Sequence, residues 1–256
     1  MPAPCRANTA RVVSWLAASL LALLTVALPA TAQQRIDLPS RPGVTQPIYL
    51  TAASNPVASA ILFPGGSGLA SQLHSNFLIR VAPQFAASGI TVAVADAPSD
   101  HNWALETAFR AGEAQAADTA AIVAFLRSRA AVPVWVVGTS RGSISAANAA
   151  VRLGPSQLAG VVLTSSVWVG GMSAVPISAI RIPALIVHNR DDGCSQSPFN
   201  QAAPALATIT AAPAKELIAV SGGSPWGKPC EAKSTHGYYG IEGQVVPLIV
   251  AWIKAH

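Results

Sequence analysis

Charge is scarce in this chain. Lys and Arg number 16 of 256 residues, and Asp and Glu only 11. With 51% hydrophobic residues, the balance suits a sizeable core and excludes a disordered chain. The net charge of +5 includes Arg6 and Arg11 near the N-terminus, and without them it falls to +3. That excess is too small and too scattered for a nucleic-acid partner. Beyond the N-terminal segment there is no apolar run long enough to span a membrane. No group of His, Cys and acidic residues has metal-ligand spacing, and Gly65-Gly66-Ser67-Gly68 lacks the Lys-Ser/Thr ending of a phosphate-binding loop. Neither a metal nor a cofactor is expected. Internal repeats, low-complexity stretches and domain linkers are also missing.

What is present begins with an export signal. Arg6 and Arg11 form a positive start, Val12 to Leu28 is an apolar run, and Ala30-Thr31-Ala32 is a small-residue cleavage site. Residues 1–32 are thus expected to leave as a signal peptide, taking Cys5 with them. Residues 33–256 remain as one soluble domain, secreted or periplasmic, with no stable membrane association. Two cysteines stay behind, Cys194 and Cys230. An even pair in an oxidising compartment is expected to form a disulfide.

Short apolar runs read as strands at Ala58–Phe63, Ile90–Ala95, from Val134, at Leu158–Ser165, at Pro183–His188 and at Glu216–Val220, with an early one over Val44–Ala53. Gln34 to Pro47 is polar and proline-bearing and reads as an extended lead-in. Helical composition covers Asn76–Ala87, Glu113–Arg129, the stretch up to Leu153, and Ile241–Ala255. Apolar strands alternating with helices predict an α/β fold, a mostly parallel central sheet with helices on both faces.

The sharpest local pattern is Val134-Trp135-Val136-Val137-Gly138-Thr139-Ser140-Arg141-Gly142, with an alanine-rich helix following. A strand, a G-x-S-x-G turn and a helix place Ser140 at the tip of a strained turn. The helix N-terminus beneath it favours an oxyanion. Gly138 and Gly142 let strand and helix approach closely. Ser140 is the candidate nucleophile.

From Ala58 to the C-terminus the chain resembles the α/β-hydrolases of the serine-nucleophile type. The landmarks are the strand followed by a glycine loop, the elbow at Ser140, an acid after a late strand and a histidine before the last helix. Chain order runs Ser…Asp…His, as this fold requires. The resemblance implies that His236, in Ser234-Thr235-His236-Gly237-Tyr238-Tyr239-Gly240, is the base. It selects Asp192 as the triad acid because relatives often carry a histidine at the strand end, here His188, with the acid four residues later; the neighbouring Asp191 stays open. The oxyanion hole is expected from the N–H of Arg141 and that of Gly66, with Ser67 as the alternative donor. A Cys194–Cys230 bond would tie the acid loop to the base loop. Only a short loop fits between Ser166 and Ile182, so no large cap is expected. Trp168, Met172, Trp226 and Tyr238 are candidates to wall a substrate pocket. The expected activity is hydrolysis of a small carboxylic ester through an acyl-enzyme. A peptidase or thioesterase would use the same groups, and a non-catalytic binding protein is the alternative outside enzymes.

Overall fold

A computed structural model describes residues 1–4, 33–224 and 226–256. Residues 1–4 are exposed and carry no regular structure, and the remainder of the expected signal, with Arg6, Arg11 and Ala30-Thr31-Ala32, lies outside the described residues.

The strands are β1 (Gln34–Pro39), β2 (Thr45–Thr51), β3 (Ala58–Phe63), β4 (Ile90–Ala95), β5 (Val134–Thr139), β6 (Gly160–Thr164), β7 (Ala184–Asn189) and β8 (Lys215–Val220). The α-helices are α1 (Phe77–Ala87), α2 (Thr107–Arg110), α3 (Glu113–Arg129), α4 (Gly142–Gln157), α5 (Ala202–Thr208) and α6 (Glu242–Ala255). One sheet holds all eight strands in the order β1-β2-β4-β3-β5-β6-β7-β8. β2 runs antiparallel to both β1 and β4, and every other pairing is parallel.

Every residue of β3 to β7 is buried, which explains their unbroken apolar sequences. Successive side chains enter opposite faces. Val134 and Val136 join a core with Ile122 and Leu126 of α3 and Ile144 of α4. Trp135 and Val137 join a second core with Phe77, Leu78 and Phe85 of α1 and Ile249 of α6. Trp135 is fully buried, so truncating it to alanine should cost about 3–5 kcal/mol.

The lead-in expected over Gln34–Pro47 is a true edge strand plus the start of its partner. Ile36 lies opposite Ile48 in the ladder. Its side chains are mostly exposed, so backbone pairing rather than apolar periodicity defines it. Helices α2 and α5 are too short to leave a periodic signature.

Between β6 and β7 the chain makes only two 3₁₀ turns, Met172–Ala174 and Ile177–Ala179. No cap domain is inserted there. Parallel strands end along a common edge of the sheet, and the loops leaving β3, β5, β6 and β7 gather at it.

Candidate active site

Ser140 leaves β5 with a backbone φ of 52°, in the left-handed region that non-glycine residues rarely occupy. The turn is held on both sides. The Ser140 N–H donates to the carbonyl of Thr164 at 3.0 Å. The Ser140 carbonyl accepts from the N–H of Ser143 at 3.0 Å and from its hydroxyl at 2.6 Å. The glycines on either side are there for close approach. A Cβ on Gly138 would come within 2.3 Å of the Gly142 carbonyl oxygen, and one on Gly142 within 2.0 Å of the Phe63 carbonyl oxygen.

His236 sits in a 3₁₀ turn, Thr235–Gly237, between β8 and α6, where the Ser234 hydroxyl accepts its N–H. Its Nε2 lies 2.9 Å from Ser140 Oγ, and its Nδ1 lies 2.8 Å from Asp192 Oδ2. Ser140, His236 and Asp192 thus meet in one hydrogen-bonded line across 96 and 44 residues of sequence.

Of the two adjacent acids, Asp192 is the one bonded to His236. Asp191 turns away: its carboxylate accepts the Gly222 N–H at 2.7 Å, and its carbonyl accepts the Thr235 hydroxyl at 2.7 Å. Asp192 is fully enclosed by donors. Oδ1 takes the Cys194 N–H at 2.9 Å, and Oδ2 takes the Ser197 hydroxyl at 3.0 Å, with His188 Nε2 at 3.4 Å. Burial opposes the charge on Asp192. The hydrogen bonds from His188 and His236, the His236 charge and the Cys194 N–H outweigh it, bringing its pKa down to about 2. His188 Nε2 also lies 2.9 Å from the Ser197 carbonyl, which only accepts, so that nitrogen carries the hydrogen. Cys194 is bonded to Cys230, with Cα atoms 4.6 Å apart, so the acid loop is covalently tied to the segment leading into the His236 turn.

Ser165, which shows no sequence signal, holds the His236 backbone, and Tyr238, expected instead in a pocket wall, braces Ser165. Ser165, at the end of β6, has φ 41° and donates its hydroxyl to the His236 carbonyl at 2.7 Å. Tyr238, with φ 53°, donates its hydroxyl to the Val187 carbonyl at 2.7 Å and accepts the Ser165 N–H at 3.0 Å. Burial raises its pKa well above the ordinary tyrosine value.

The glycine loop after β3 faces Ser140. Neither the Gly66 nor the Arg141 N–H donates to a protein acceptor among the described residues, and the same holds for Ser67. The Gly66 carbonyl is gripped from behind by Arg110 Nη2 at 3.2 Å. Arg110 is only 1% exposed and also donates to Leu105 O at 3.1 Å and Ser145 Oγ at 3.1 Å. Burial, together with the nearby Arg141 charge, pushes its pKa down to about 9.

A cavity of about 470 Å³ opens beside Ser140 and His236, walled by Leu73, Phe77 and Trp226. Of the four residues expected to wall a substrate pocket, Trp226 borders it. The other three do not, and the expectation for them is corrected. Tyr238 is fully buried against Phe77, Met172 is packed into the core on the α4 side, and Trp168 rests on that same core. In the loop after β6, Met172 is buried and Trp168 partly so, both consumed by the core, while Val169 beside them stays exposed.

Neither a family model nor a curated protein sequence matches the chain. Solved structures do. A dienelactone hydrolase from Anabaena variabilis shares 15% identity at a TM-score of 0.66, over 89% of this chain and 99% of that one. An α/β serine hydrolase without lid from Xanthomonas campestris shares 14% at 0.64, over 88% and 95%. An esterase from Pyrococcus furiosus shares 11% at 0.67, over 88% and 91%. At these identities the likeness carries the fold and nothing finer: the chain folds as an α/β-hydrolase, in the form without a large cap.

Proposed function

We propose that the protein is an exported serine hydrolase that cleaves carboxylic esters through an acyl-enzyme. The observation that carries this reading is the continuous Ser140–His236–Asp192 line, with spacings of 2.9 and 2.8 Å. A serine hydroxyl becomes a useful nucleophile only when a base takes its proton as it attacks. Charged Asp192 accepts from Nδ1, which leaves Nε2 of His236 free to take the Ser140 proton. The Ser140 oxygen bonds to the ester carbonyl carbon, and the carbonyl oxygen gains the negative charge. The unpaired N–H groups of Arg141 and Gly66 are the donors for that oxyanion.

Collapse of this intermediate breaks the bond to the alcohol oxygen, which takes the proton from His236. Water then attacks the acyl-Ser140 ester and gives its proton to His236. The acid leaves, and Ser140 recovers its hydrogen. An acyl group bound through nitrogen or sulfur would follow the same path, so the ester preference rests on the fold's relatives, whose names include an esterase. Export is supported by the N-terminal sequence and by the Cys194–Cys230 bond, which suits an oxidising compartment.

The test is labelling of residues 33–256 with a fluorophosphonate and location of the adduct by mass spectrometry. Expected is a single adduct on Ser140, absent in Ser140→Ala and strongly reduced in His236→Ala. A folded protein that takes no label overturns the reading in favour of a binding role.

A further inference from the structure

Two guanidinium groups lie together behind the elbow, and no acid is ion-paired with either of them. The Arg110 and Arg141 guanidinium groups share one acceptor, the Leu105 carbonyl, at 3.1 and 3.3 Å. All 11 acids of the chain lie among the described residues. None of them ion-pairs with either arginine. Placing like charges together away from water is unfavourable unless something compensates them. Arg110 is sealed in, but Arg141 is not. Its side chain lines a separate cleft of about 250 Å³, whose other walls include Thr107, Gln196, Val169 and the Gly170-Gly171 backbone. The residues lining the cleft thus include an arginine, a threonine and a glutamine, and no acid. Arg141 directly follows Ser140 in the chain, which places one wall of this cleft a single residue from the nucleophile, although Ser140 itself is not among its walls.

We propose that the Arg141 cleft binds a carboxylate of the substrate, so that the preferred ester carries a free acid a short carbon chain from the scissile carbonyl. This rests on the hydrolase reading above. A planar carboxylate matches the guanidinium fork, with Gln196 and Thr107 beside it to complete the hydrogen bonding. The bound anion supplies an ion-pair partner for Arg141, which no acid of the protein provides.

The experiment uses monoethyl succinate, glutarate and adipate, each beside its uncharged amide counterpart. In the wild-type protein, kcat/KM for at least one acid should exceed that for its amide by about tenfold to a hundredfold, the worth of a charge-assisted hydrogen bond. Arg141→Gln should remove the preference, and Arg141→Lys should restore part of it. Gln196→Glu, at an exposed position, places a carboxylate in the cleft and should also remove the preference. Binding of the same esters to the Ser140→Ala protein by calorimetry should follow the same order.

Equal turnover of acids and amides in all three pairs overturns the proposal, as does a preference that survives both Arg141→Gln and Gln196→Glu. Cleavage of 4-nitrophenyl acetate without any charge preference sinks the cleft and leaves the hydrolase reading. Arg141-dependent binding of the acids by a protein that cleaves no ester does the reverse.

Discussion

Ser165 donates its hydroxyl to the carbonyl oxygen of His236 at 2.7 Å, from a backbone held at φ 41°. The bond joins the end of a central strand to the turn that carries the imidazole, so the ring's position is inherited from the sheet.

Ser165→Ala should therefore reduce kcat on 4-nitrophenyl acetate by roughly tenfold, with little change in KM, since small misplacements of reacting groups are costly. It leaves a buried carbonyl without its donor, at about 1–3 kcal/mol of stability. Steady-state kinetics and a denaturant melt read both effects. An unchanged kcat shows that the turn holds without Ser165.

The two neighbouring acids should separate cleanly. Asp192→Asn removes the carboxylate that sets the His236 tautomer, and kcat should fall by about 10³–10⁴-fold. Asp191→Asn loosens only the bond to Gly222, and its kcat should stay within about tenfold of wild type while stability drops by about 1 kcal/mol. Reversed magnitudes move the acid role to Asp191.

Asp192 also makes stability depend on acidity. Its folded pKa, about 2, lies below the ordinary aspartate value of about 3.9. The unfolded chain therefore binds the proton first, and stability falls as pH drops. The contribution is nearly all present above about pH 4 and is lost as pH falls through about 2, amounting to about 2–3 kcal/mol. Thermal melts from pH 5 to pH 2 should show this loss, and Asp192→Asn should flatten it.

The Cys194–Cys230 bond closes a loop of 36 residues. In the chain-entropy account such a cross-link is worth about 3–4 kcal/mol. Cys230→Ser should lower Tm by about 10 °C and reduce kcat more than it raises KM, because the acid loop loses its tie to the base loop. Adding dithiothreitol to wild type should reproduce the shift. A Tm that ignores both treatments removes the disulfide from the stability argument.

Arg110→Met keeps much of the buried volume but drops the grip on the Gly66 carbonyl and the Ser145 hydroxyl. It should reduce kcat by roughly tenfold to a hundredfold with KM little moved, as the donor loop loses its orientation. Arg110→Lys, a single point of charge in place of a fork, should recover only part. Circular dichroism separates this effect from unfolding.

Much of the frame could be read from the sequence because its signals are local. Buried parallel strands are continuous apolar runs, and the Ser140 elbow is a contiguous strand, turn and helix. His236 and the pair Asp191-Asp192 emerged only through chain order, which says which loop carries a residue but not where its side chain turns. The choice of Asp192 depends on Cys194, Ser197 and Gly222, each set by loop path. Ser165, Ser197 and Arg110 left no trace, since each acts on a partner far away in sequence. Tyr238 and Met172 misled for a related reason. An aromatic or a methionine in a glycine-bearing loop looks available to a ligand, yet the same apolar surface is often consumed by the core. The strand Gln34–Pro39 was hidden because an exposed edge strand needs no apolar alternation, only a neighbour.

That edge position has a consequence for how the molecule meets its own copies. An open sheet has two flanks with unpaired backbone groups, ready to template another strand. Here the flanks are β1 and β8. β1 carries Arg35 and Asp37 and ends in Pro39, while β8 begins with the exposed Lys215 and Glu216. In a chain so poor in charge, ionic side chains and a proline stand at the borders where strand-by-strand polymerisation starts, and they discourage it at both.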